Sequence, residues 1–95
     1  MFTNKNDANK AGVLAALEGL RAALTAAPEN AAVPRALDQC GRLELAITQF
    51  HAEGLRFAAF TLLRMVQSGA TAFPDAVHSA TRDLKTALDA AGYPH

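Results

Sequence analysis

From Pro34 to Ser68 the chain runs about 35 residues without a proline, and its large apolar residues keep helical phase throughout. A continuous helix over that stretch is roughly 52 Å long at about 1.5 Å per residue, longer than a compact domain of this size is wide. Part of its apolar surface then has no partner within the chain. The sequence therefore predicts an all-α bundle in which one long central helix, about 34–68, is flanked by two shorter ones, about 8–27 and 74–91. Dimerisation completes that bundle. A second arrangement stays open: if the long helix bends at Gly54, the chain folds into four helices and the bare end disappears.

The remaining pattern supports helices and little else. Val13, Leu17, Leu20 and Leu24 form one stripe of the first helix, capped by Asp7 or Asn9 after a loose 1–7 segment, and Ala11, Ala15, Gly19, Ala22, Ala23 and Ala26 occupy its other side. Alanine is a default helix filler, so that side is read as facing water. Pro28-Glu29-Asn30 ends the helix, and Pro34 suits the first turn of the next. On the long helix, Leu37, Cys40, Leu43, Ile47, Phe50, Leu55, Ala58, Leu62 and Met65 share one face. Arg35, Asp38, Gln39, Arg42, Gln49, Glu53, Arg56, Arg64 and Gln67 share the other. The phase of this stripe argues against a complete break at Gly54. Phe73-Pro74-Asp75 opens the last helix, and Gly92 closes it before Pro94.

Length and charge exclude several function classes. The 95 residues are read as one helical domain, 1–95, and 51% of them are hydrophobic, a share in which alanine is prominent. Nine Lys and Arg balance nine Asp and Glu with no block of either sign, which offers no footprint for nucleic acid or an anionic membrane. Cys40 is the sole cysteine, so no intrachain disulfide is available, and the chain fits a reducing cytoplasm. There is no run of 18 apolar residues, and Met1 to Asp7 lacks the apolar stretch of a signal peptide. A soluble cytoplasmic location follows as the expectation.

Candidate chemistry is sparse. Glu44 and His51 fall near the centre of the apolar face but lie seven residues apart, about 10.5 Å along the axis, too far to pair within one helix. In an antiparallel dimer with its axis near Ile47 and Thr48, each Glu44 would oppose the other chain's His51. That gives a hypothetical buried polar pair that fixes register; the plainer reading is that the bundle splays there and both side chains reach water or a neighbouring helix. Cys40, Glu44 and His51 lack the Glu-x-x-His or His-x-x-x-His spacing of a bundle metal site, so no metal is expected. Histidine phosphotransfer needs an exposed imidazole on a helical hairpin, followed shortly by a lysine and a small residue. After His51 come Ala52, Glu53, Gly54, Leu55 and Arg56, so the basic residue is displaced and an acid intervenes. No phosphate loop, catalytic triad or cofactor fingerprint is present, and neither an enzyme nor a cofactor is expected.

The segment from Leu55 to Val66 is apolar nearly all round, since Phe60 interrupts the polar face and Leu63 lies at its edge. Phe57, Phe60, Leu63 and Met65 are accordingly the expected interface residues. The sequence reading is a non-catalytic interaction or regulatory protein acting as a homodimer, with a possible further helical protein partner. The alternatives are phosphotransfer at His51 and a small apolar ligand in the Phe-lined half.

Overall fold

The apolar stripes form helices, and they turn inward. The computed structural model describes residues 5–49, 51–69, 72–93 and 95, with side chains from Asn9 onward. The helices are α1 (Lys5–Ala26), α2 (Ala32–Gln49), α3 (Ala52–Ser68) and α4 (Asp75–Ala91), and no strand occurs among the described residues. Val13, Leu17, Leu20 and Leu24 of α1 are all buried, whereas Ala11, Ala15, Gly19, Ala22 and Ala26 are exposed and Ala23 is half-buried. α1 begins at Lys5, so residues 5–7 of the segment expected to be loose are helical, Asp7 and Asn9 lie inside the helix rather than capping it, and residues 1–4 lie outside the described residues.

Asn30 does two jobs at the entry to α2. Its side-chain Oδ1 accepts from the backbone N–H groups of Ala32 at 2.8 Å and Val33 at 3.2 Å, which satisfies amides that the helix itself cannot pair. Its Nδ2 donates to the carbonyl of Ala72 at 2.9 Å, and so ties the α1–α2 connection to the α3–α4 connection. Asn30→Ala removes both the cap and the tie, and should cost about 1–2 kcal/mol of stability. A denaturant titration that shows no change would mean that water replaces Asn30 at both places.

The expected 34–68 helix is two helices. α2 stops at Gln49, and His51 is extended (φ −92°, ψ 96°). The Nδ1 of His51 accepts from the N–H of Gly54 at 3.0 Å and caps α3. Gly54 matters here for its lack of a side chain, because a Cβ would lie 2.8 Å from that capping nitrogen. The reversal thus falls three residues before Gly54, where the alternative four-helix arrangement had the bend. Phe50 lies outside the described residues.

The short connections at 27–31, 50–51 and 69–74 join helices that pack against one another, so the chain runs up, down, up, down. α1 packs most extensively on α4, and α2 on α3; Ala36 and Ala46 of α2 and Ala58 and Ala59 of α3 are buried. Leu43, Ile47, Leu62, Leu84 and Leu88 fill the centre with no exposure. α4 starts after Pro74 and ends at Gly92 in the left-handed region (φ 70°), where glycine avoids the Cβ clash. The N–H of Gly92 donates to Asp89 O, and that of Tyr93 to Leu88 O. Because α2 and α3 fold back on each other, the bare helix end that called for a second chain does not exist. No helix among the described residues is long and apolar enough to cross a membrane.

Candidate functional site

α3 has two apolar sides, and only one is used by the core. Leu55, Ala58, Ala59, Leu62 and Val66 are buried. Glu53, Phe57, Phe60 and Arg64 are all exposed. Their spacing of four, three and four residues at about 100° each places all four within roughly 60° of one another, as a single outward stripe. Phe57 is 69% and Phe60 51% exposed, values that leave most of each ring in water. The Arg64 guanidinium carbon lies 5.9 Å from the centre of the Phe60 ring, within cation–π range, so this ring is partly shielded by its own neighbour.

Shallow grooves flank the stripe. One of about 700 Å³ runs between α3 and α4, where Phe60 and Leu63 meet the polar and charged groups Arg64, Thr81, Arg82 and Lys85. Another of about 570 Å³ passes Phe57, Phe60, Arg56 and Glu53 to His95. His95 itself is held by Asp89 at 2.9 Å. Neither groove has the continuous apolar lining that a lipid-like or aromatic ligand requires.

Of the four expected interface residues, the structure brings Phe57 and Phe60 together on the outer face. Leu63 is partly buried and packs against the core, and Met65 is half-buried. Leu45 is a further exposed apolar side chain, 57% accessible, on α2. Glu53 and Arg64 were read as members of a solvated polar face. The signal that singles them out is their symmetrical spacing about the two phenylalanines.

Glu44 and His51 each follow the plainer reading, Glu44 reaching a neighbouring helix and His51 reaching water. No polar or charged side chain among the described residues is fully buried. Glu44 accepts from Arg21 at 2.9 Å, across from α2 to α1, and Arg21 also reaches Glu18 at 3.1 Å. Partial burial opposes the Arg21 charge, but the hydrogen bond and charge of Glu44, with help from Glu18, outweigh it and hold the guanidinium above its ordinary range. His51 is exposed at the α2–α3 reversal with Nδ1 engaged in capping, which needs the tautomer protonated on Nε2. The two residues therefore have separate partners, because the reversal takes His51 off the face it was assigned to.

Cys40 is fully buried, and burial pushes its thiol up from 9.0 to about 11, with nearby Arg21 opposing that rise only in part. It is a small core residue with no nucleophilic character at neutral pH. No group of three His, Cys, Asp or Glu side chains able to hold a metal occurs among the described residues.

No protein-family model, curated protein or solved structure matches this chain.

Proposed function

We propose that this chain is a non-catalytic interaction module that self-associates as a homodimer through the outer face of α3. The observation that carries this reading is the exposure of Phe57 and Phe60 side by side on a helix whose opposite face already completes the core. Large aromatic side chains stay in water at a cost of about 25 cal/mol for each Å² of apolar surface, and burying them against a second copy removes that cost. The exposed parts of four phenylalanines from two copies offer roughly 400–600 Å², below the about 1,000 Å² that a specific interface clears, so the flanking surface of α3 must add to the contact and the association is weak.

Phosphotransfer at His51 has exposure in its favour. Against it, the imidazole sits in a connection rather than on a helix face and spends Nδ1 on capping. A small apolar ligand is disfavoured because both grooves are open to solvent and carry charged side chains among their apolar lining.

Light scattering at tens of micromolar should report about twice the 10.0 kDa chain mass, and Phe60→Glu or Phe57→Glu should return it to 10.0 kDa. The melting temperature extrapolated to low concentration should be unchanged in both variants, since neither ring belongs to the core. A wild-type chain that stays at 10.0 kDa under these conditions rejects the proposal.

A further inference from the structure

We infer that the second copy binds antiparallel, with α3 crossing its own image about a two-fold axis between Ala58 and Ala59. This inference rests on the self-association proposed above and fixes its register. The four exposed residues Glu53, Phe57, Phe60 and Arg64 are separated by four, three and four positions, a spacing that reads the same in both directions. Turning the helix end for end about that axis places Phe57 against the partner's Phe60 and Phe60 against the partner's Phe57. The same operation places Glu53 against the partner's Arg64 and Arg64 against the partner's Glu53. An isologous contact needs a surface that complements itself in this way.

Charge selects the direction. In a parallel alignment Glu53 meets the partner's Glu53, and Arg64 meets the partner's Arg64, so both ends of the stripe repel. Antiparallel, both ends attract. The two charges lie eleven residues apart, about 16.5 Å along the axis, so each flanks the aromatic centre rather than entering it. This is the arrangement expected of an interface with an apolar middle and a charged rim. Neither side chain is committed elsewhere to an ion pair among the described residues; Arg64 rests on the Phe60 ring.

A charge exchange tests the register. Glu53→Arg should weaken homodimer formation on the order of tenfold, because both ends of the stripe then carry arginine against arginine, and Arg64→Glu should do the same with glutamate against glutamate. The double variant carrying Glu53→Arg and Arg64→Glu should recover to within about threefold of wild type. An equimolar mixture of the two single variants should assemble as a heterodimer, since each copy then meets the opposite sign at both ends. The mixture contains the same altered helices as the weakened homodimers, so its assembly excludes damage to α3 as the cause of their weakness. Sedimentation velocity of the four samples, with the mixture distinguished by a fluorophore on one component, reads every case. A wild-type dimer whose single variants dimerise normally, or whose double variant and mixture fail to recover, overturns the antiparallel register while leaving self-association in place. A monomeric wild type overturns both.

Discussion

Leu43→Ala should lower the free energy of unfolding by about 2–5 kcal/mol, while Leu45→Ala, two positions along the same helix, should change it by less than about 0.5 kcal/mol. Leu43 has no exposure and Leu45 is 57% exposed. Truncating the first removes buried methyl groups and leaves a cavity that close-packed neighbours fill only in part. Truncating the second removes groups that were mostly in water in both states. A domain of this length has a total stability of roughly 5–14 kcal/mol, so the Leu43 variant forfeits a large fraction of it. Urea unfolding followed by circular dichroism measures both variants. Equal losses would mean that α2 is rotated about its axis relative to the arrangement described above.

Cys40 supplies the second large effect, through pH and through chemistry. In the unfolded chain its thiol titrates near 9.0, and burial raises that to about 11 in the folded chain. A raised folded-state value means that stability is fully present below the unfolded value and is lost as pH rises through the folded one. Between pH 8 and pH 11 the wild type should therefore lose about 2 kcal/mol that Cys40→Ala does not lose. Tyr93, also pushed up by burial, titrates in both proteins and cancels from the difference. At pH 8 the raised value alone lowers the thiolate fraction about a hundredfold, and alkylation by iodoacetamide should be slower than in the denatured chain by at least that factor. Rapid alkylation of the folded protein, or parallel pH profiles for wild type and Cys40→Ala, would place the thiol at the surface.

Faces were legible in the sequence, and connectivity was not. Of the residues assigned to the apolar side of 34–68, Cys40, Leu43, Ile47, Leu55, Ala58 and Leu62 are buried, Leu37 and Met65 are half-buried and Phe50 lies outside the described residues, while the assigned polar side is exposed except for half-buried Gln39. Periodicity reports which side of a helix meets the core. It is blind to reversal, because two helices folded back on each other present their stripes to the same core as a straight one would. The break depends instead on a cap formed by histidine, which is not among the usual capping residues, and on the glycine that gives its ring room. The same blindness misassigned His51 and left Glu44 without its true partner, Arg21, since a contact across helices leaves no local pattern. By contrast Asp75–Ala91 was bounded correctly by its flanking proline and glycine, whose backbone constraints are local. On the outer face, Phe60 stood out as an aromatic among polar residues. Its companions Glu53 and Arg64 did not, because exposed charges on a helix are common.

The most extensive helix pair joins the first and last helices of the chain. With α1 against α2, α2 against α3, α3 against α4 and α4 back against α1, the four rods form a closed ring in which every neighbour is antiparallel. Three corners of that ring are bridged by chain and the fourth by contacts between side chains. Because direction alternates around the ring, the start of α1 and the end of α4 lie at the same end of the bundle. A peptide bridge spanning that corner would let the chain be opened at the α2–α3 corner instead, and the ring of packed helices would be unchanged. The architecture belongs to the cycle of faces; which corner lacks a covalent link is incidental to it.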